Sequence, residues 1–300
     1  MLEGILVEGL LYGILALGVF ISFRVLDFAD MTVEGAFPAG AAAGAAVATA
    51  FSATGAGGGL VSMAAALAGL LAGGLAGLAT SAMHHRLKVP PLLAGIVTMT
   101  GFYSINLRIL GGRPNLPLIT TNPILSCARS WLGPGVGPDI AILAASFIAC
   151  LAVAGLLDLF FHTEAGIAMG ALGDNEASVV QAGVNPASLR TAGIVLANGL
   201  AGLSGALAAA YQGFADVNFG QGVVAAGLAS VMLGELVLKS QYIGVQLLRV
   251  VIGSILFRGL MYAARSWGYL AGITPNDLRL LTALLIVGTI ALSRVGRKKR

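Results

Sequence analysis

Nine stretches of this chain run for about 16 to 25 residues with almost no charge, and that pattern leaves little choice of fold. They are Gly4–Phe23, Gly35–Phe51, Gly58–Ala82, Pro90–Leu110, Asp139–Phe161, Thr191–Gln212, Gly222–Leu238, Gly244–Ala264 and Leu278–Ser293. About 20 apolar residues in a helix cross a hydrocarbon core of about 30 Å. Inside lipid each backbone N–H and C=O must find its partner within the segment, which makes such spans helical. The expected fold is an all-α polytopic membrane bundle of about nine spans (eight to ten), forming a single transmembrane domain over 1–300. The second and seventh stretches are short and follow irregular polar segments, which marks them as candidate half-helices or re-entrant pieces.

Composition closes off the alternatives. Of 300 residues 57% are hydrophobic and only 10% charged, with a mean hydropathy of +0.92. A soluble domain carries about 25% charged residues, and no stretch here is polar enough to be one. The net charge of +4 does not indicate a nucleic-acid binder, because the basic residues sit at the ends of the apolar stretches. The 43 glycines include close pairs such as Gly40 and Gly44, Gly69 and Gly73, and Gly73 and Gly77. Small residues at this spacing let helices approach where no hydrophobic effect drives them together. Cys127 and Cys150 do not suggest a disulfide framework, since Cys150 lies within an apolar stretch. The opening Met1-Leu2-Glu3 lacks a positive leader, so the first span is expected to be retained.

Basic residues set an expected orientation. If the tail Arg294, Arg297, Lys298, Lys299, Arg300 is cytoplasmic, nine spans put Arg24, Arg86, Lys88, Arg190 and Lys239 on the same side. Arg108, Arg113, Arg129, Arg265 and Arg279 fall outside. Ten against five agrees with the positive-inside rule. Two long connections then face opposite sides. Residues 111–138, with five prolines, form an external loop that cannot be one helix. Residues 163–190 form a cytoplasmic segment in which Asp174 or Asn175 can cap a short helix, Glu176–Ala182, ended by Gly183.

The chain also echoes itself. Phe28-Ala29-Asp30-Met31-Thr32-Val33-Glu34-Gly35 matches Phe214-Ala215-Asp216-Val217-Asn218-Phe219-Gly220-Gln221-Gly222 with one inserted residue, and the match continues to Gly40 and Gly227. Each copy follows a span rich in small residues and precedes a short one. Their opposite orientations are those of an inverted repeat, whose interrupted helices tend to line a transport path.

Catalytic patterns are lacking. Gly234-Glu235-Leu236-Val237-Leu238-Lys239-Ser240 ends like a phosphate-binding loop but lacks its second glycine. His84, His85 and His162 have no metal-ligand spacing with cysteine or carboxylate. Charges within or beside spans are the informative residues, because each costs about 2.5–3.5 kcal/mol at a helix centre and persists when it faces a cavity or partner. Glu8, Glu34, Asp216, Glu235, Arg249 and Arg258 qualify, with Glu235 expected to pair with Arg249 or Arg258. Asp30, Glu34, Asn198, Gln212, Asp216 and Glu235 are the candidates for a solute path; interfacial snorkelling and helix–helix hydrogen bonding are the competing roles.

Three stretches resemble the branched-chain amino acid permease family of ATP-binding-cassette (ABC) importers. Gly9-Leu10-Leu11-Tyr12-Gly13-Ile14-Leu15-Ala16-Leu17-Gly18 resembles its opening helix, and Leu26–Phe37 its first irregular segment. Ala165–Ser178, continuing through Gln181-Ala182-Gly183-Val184-Asn185 to Arg190, resembles its cytoplasmic loop and is the most specific of the three. The chain departs from the family at Met169 and Ala171, where arginine is usual, and at Asp30 and Thr32, where serine or histidine is usual. It looks most like the branch in which one permease forms a homodimer, a branch associated with aromatic amino acids among other solutes.

The resemblance implies a type II-like permease in a bacterial plasma (inner) membrane, with two permease copies, two cytoplasmic ATP-binding subunits and an external solute-binding protein. No cofactor is expected on this chain, ATP and magnesium belonging to the partner ATPase, and no nucleic acid; membrane lipids surround it. Gly173, Asp174, Asn175, Glu176, Ala177, Ser178, Gly183 and Asn185 would form the coupling element against the ATPase. The competing expectation is a secondary transporter driven by protons or sodium through Asp30, Glu34 or Asp216.

Overall fold

The computed structural model describes residues 2–53, 57–118, 137–238 and 240–270, with isolated helical positions at 280, 283–284 and 286–288. Its helices in chain order are α1 (Leu2–Phe20), α2 (Val33–Ala53), α3 (Gly58–Leu87), α4 (Pro91–Ile109), α5 (Pro138–Phe161), α6 (Glu164–Asp174), α7 (Glu176–Gln181), α8 (Pro186–Gln212), α9 (Val223–Val237) and α10 (Ile243–Leu270). Seven of these are long and apolar enough to cross a membrane, and α9 is a shorter apolar helix of 15 residues. The ninth expected span, Leu278–Ser293, lies largely outside the described residues, as do Cys127, Lys239, the basic tail and most of the 111–138 loop.

Most expected boundaries hold within a few residues, though α3 runs five residues past Ala82 to Leu87 and α10 six past Ala264 to Leu270; three further differences stand out. α2 is not short: it has 21 residues and carries Pro38 within it. α8 starts five residues before Thr191 because Asn185 and Pro186 start it together. The Asn185 side chain accepts from Ala187 N–H at 3.0 Å, and proline is suited to the first helical position. The third difference is a two-stranded antiparallel ribbon, β1 (Asn115–Pro117) against β2 (Phe214–Asp216). It ties the start of the 111–138 loop to the second copy of the repeat.

Burial separates a central layer from a peripheral one. In α1 and α8, 72% of the most apolar window is buried; in α4 and α5 only 22% is. The outward faces of α3 and α5 carry Leu60, Leu67, Leu71, Leu75, Ile148, Leu151, Leu156 and Leu159, all exposed. So wide an apolar surface is compatible with lipid, not with water.

α1 and α8 cross the centre antiparallel. Gly18 of α1 faces the Ala197 carbonyl, and the Ser204 hydroxyl of α8 donates to Leu11 O at 2.7 Å. Each then repeats the other's neighbourhood. α8 packs on α3 through Gly202 against Gly69 and Gly73, while α1 packs on α10 through Gly9 against Ile255. Gly40 of α2 lies against α8 at Gly202, and its echo Gly227 of α9 lies against α1 at Leu15 and Val19. The inverted repeat read from the sequence is thus drawn in packing. Glycine is required at the α3–α8 crossing, where a Cβ on Gly202 would collide with the Gly69 carbonyl.

Candidate functional site

Both copies of the repeat are breaks at which the chain leaves one central helix and turns back before starting the next. α1 ends in a single π-turn, Ile21–Val25, and Asp27 then takes a positive φ of 48°. π-turns concentrate at functional sites and redirect the chain without a loop. Asp30 closes the break by accepting from Thr32 N–H at 2.8 Å. In the second break Asp216 accepts from Asn218 N–H at 2.7 Å. The same aspartate turn, two residues wide, starts each return.

The surroundings of the two aspartates differ. Asp30 is fully buried and also accepts from the Asn198 amide of α8, which donates to Ile194 O at 3.0 Å as well. Beside it, the Thr32 and Thr80 hydroxyls lie 2.6 Å apart, and Thr80 donates to Thr98 at 2.7 Å. Four elements, the first break, α3, α4 and α8, are thereby pinned by one polar cluster. Gly95 of α4 permits it, since its bare Cα leaves room for the Met31 backbone. Asp216 instead ends β2 of the ribbon, accepting from Asn115 Nδ2 at 3.3 Å and from Asn218 Nδ2 at 3.1 Å, and Gln221 donates to Asn218 at 3.3 Å.

Glu34 joins the two breaks. Its carboxylate accepts from the N–H of Gly222, the residue preceding α9, at 3.1 Å. The N-terminus of α2 therefore meets the N-terminus of α9. Pro38 has no N–H to give the Glu34 carbonyl its helical partner. Gly220 packs directly onto that carbonyl, an approach open only to glycine. Two helix N-termini, each the positive end of a helix dipole, converge on one carboxylate. Gln221 and Gly222 are exposed there, so this meeting point opens onto a surface of the bundle.

The expected path residues therefore fall at three depths. Asp30 and Asn198 touch; Glu34 meets the second break instead of Asp30. Gln212 is the last residue of α8, near Asp216 and the ribbon. Glu235 lies toward the other end, bonded to Arg24 at 3.1 Å and to Arg249 at 3.4 Å. Its expected alternative partner, Arg258, pairs with Glu8 at 3.4 Å and stacks over the Tyr12 ring. Thr32 stands out in the sequence as a departure from the family pattern, but Thr80 and Thr98 do not; as polar residues within apolar helices they carry the signal that could have found them.

The 163–190 segment forms two short helices at an angle. Thr163 caps α6 by accepting from Gly166 N–H at 3.3 Å. Asn175, not Asp174, caps α7, accepting from Ala177 N–H at 3.0 Å; Asp174 is the last residue of α6. α7 ends at Gln181, and Gly183 reverses the chain at φ 78°. Glu176 is bonded to Arg190 at 2.9 Å, which ties α7 to α8. Ala177 and Ser178 are exposed, while Val179 is buried beneath them. Gly173 abuts the Val25 carbonyl, so α6 rests on the end of the π-turn. Met169 is completely buried against Gly193 and Leu26. An arginine there would bury its charge, which explains why this chain departs from the usual arginine at that position.

Among the described residues no group of three or more His, Cys, Asp or Glu side chains is placed to hold a metal. Residues 1–290 match the model of the branched-chain amino acid transport system permease component. A tyrosine transport system permease protein of Clostridioides difficile (strain R20291) is 34% identical over 97% of this chain and 91% of its own length. An uncharacterized protein of Rickettsia prowazekii (strain Madrid E) is 30% identical over 95% of this chain and 94% of its own. No solved structure matches. With its apolar helices and interrupted spans, the chain belongs to the branched-chain amino acid transport permease family: it is a multi-pass membrane permease component of an amino-acid transport system.

Proposed function

We propose that this permease is the membrane subunit of an ATP-driven importer that moves an amino acid by alternating access, and that two copies form one pathway. The observation that carries the reading is the meeting of the α2 and α9 N-termini at Glu34, on an exposed face of the bundle. Interrupted helices whose N-termini meet part-way along a bundle mark a transport path, and rocking of the two repeat halves about that point opens it alternately to the two sides. The likeness to a tyrosine permease over nearly the full length of both chains favours an aromatic amino acid as solute.

The α6–α7 element is the lever in this reading. Gly173, Asp174, Asn175, Glu176, Ala177, Ser178, Gly183 and Asn185 face a cytoplasmic ATP-binding subunit, and α6 carries the movement to the π-turn of α1 through Gly173. ATP and magnesium bind on that partner, and a solute-binding protein delivers the amino acid from outside. The C-terminus is cytoplasmic.

The deciding experiment is uptake of radiolabelled L-tyrosine into ATP-loaded proteoliposomes that contain the permease co-purified with its ATP-binding partner, with the solute-binding protein added outside. Uptake that needs ATP hydrolysis and survives collapse of the proton and sodium gradients is expected. Uptake that dies with the gradients and ignores ATP would replace this reading with a secondary transporter driven through Asp30, Glu34 or Asp216.

A further inference from the structure

α9 starts at Val223, level with Leu15 of α1, so it covers only part of the groove between α1 and α10. Beyond its start, toward the end where α1 begins, that groove holds a cavity of about 180 Å³. Its walls mix charged with apolar side chains, Ile5 and Met261 among the latter. Glu8 of α1 and Arg258, Tyr262 and Arg265 of α10 line it. The Glu8–Arg258 contact is 3.4 Å, longer than the roughly 2.7–2.9 Å of a well-made charge-assisted bond. The Arg258 guanidinium carbon lies 3.4 Å from the centre of the Tyr12 ring, which holds the cation from below and leaves its edge toward the cavity. Tyr12 in turn packs on Phe37, one turn from Glu34, so the cavity is continuous in packing with the junction of the two repeats.

We propose that this cavity is a binding site for the zwitterionic head of a free α-amino acid. Its carboxylate is taken by the guanidinium of Arg258, with Arg265 adding a second positive charge, and its ammonium by Glu8. A zwitterion replaces the loose Glu8–Arg258 contact with two better ones and leaves the net charge of the site unchanged. A simple anion leaves Glu8 with no better partner than its long contact to Arg258, and a simple cation would draw Glu8 away and leave Arg258 unpaired. The volume suits the size class, since an apolar cavity of about 150 Å³ holds a benzene molecule. Tyr262 supplies aromatic surface for the side chain. The site rests on the reading of this protein as an amino-acid permease, and adds to it where on the chain the solute's charged groups are read.

The test is equilibrium binding of radiolabelled L-tyrosine to the full-length permease in lipid nanodiscs, without its partners. Saturable binding is expected, competed by other α-amino acids but at least tenfold less well by tyramine, which lacks the carboxylate, or 3-(4-hydroxyphenyl)propionate, which lacks the ammonium. Arg258→Met and Glu8→Gln should each weaken binding at least tenfold, while Arg86→Gln, exposed at the end of α3, leaves it intact. Absence of saturable binding, equal competition by either analogue, or unchanged binding in both folded variants overturns the site. If Arg258→Met does not elute like the unaltered protein, the analogue competition on the unaltered permease decides alone. ATP-driven uptake without this binding sinks the site and leaves the importer reading standing; the binding together with gradient-driven uptake does the reverse.

Discussion

Asn198 holds the first break shut. It is completely buried in the middle of α8, and its amide bridges the Asp30 carboxylate and the Ile194 carbonyl. A buried carboxylate depends on such donors, because water cannot replace them. Asn198→Ala removes the donor and leaves Asp30 with the backbone N–H and hydroxyl of Thr32. The expected loss is about 1–3 kcal/mol, the range for a buried group left unsatisfied. It would be read as a lowered thermal midpoint of the detergent-purified protein. An unchanged midpoint in Asn198→Ala would show that the cluster does not fasten the break. The threonine chain Thr32, Thr80 and Thr98 works by the same logic with neutral groups, and joins α3 and α4 to the same point.

Among the elements, α7 separates stability from function most cleanly. It is a helix of six residues with one buried side chain, Val179, so its own packing is slight. Its ion pair with α8, Glu176 to Arg190 at 2.9 Å, is partly exposed. Exposed pairs contribute about 0–1 kcal/mol, so Glu176→Ala should leave the fold and the thermal midpoint nearly unchanged. If α7 is the lever, the same variant still assembles with its ATP-binding partner and hydrolyses ATP, while uptake per ATP falls severalfold. Uptake and hydrolysis that stay coupled in Glu176→Ala would remove α7 from the coupling role. The long central helices are the opposite case: α8 meets α2 and α3 through glycine at 202 and alanine at 206, with backbones nearly touching, and tolerates no added bulk there.

At the scale of the whole molecule, the two breaks lie toward opposite ends because α1 and α8 run antiparallel. The β1–β2 ribbon marks one end and α6–α7 the other. In a background with Cys127 and Cys150 replaced, Arg113→Cys and Ser178→Cys should therefore react with a membrane-impermeant maleimide from opposite sides. Both positions are exposed. Labelling of both from one side would overturn the topology and with it the lever.

Helix positions and the inverted echo were legible in the sequence, because hydropathy over twenty residues and a repeated Phe-Ala-Asp are local signals. So was the capped element after Thr163, since caps and a positive-φ glycine act within a few residues. Which polar groups would meet was not. Asp30 and Asn198 are 168 positions apart, Glu34 and Gly222 are 188, and Glu8 and Arg258 are 250. Such pairings depend on how helices cross and how far a break returns into the bundle, and small residues at the crossings, not the polar residues themselves, set both. The sequence by itself made this a membrane bundle of two inverted halves; only tertiary packing decided that the halves touch at Glu34 and that Arg258 answers Glu8 and not Glu235.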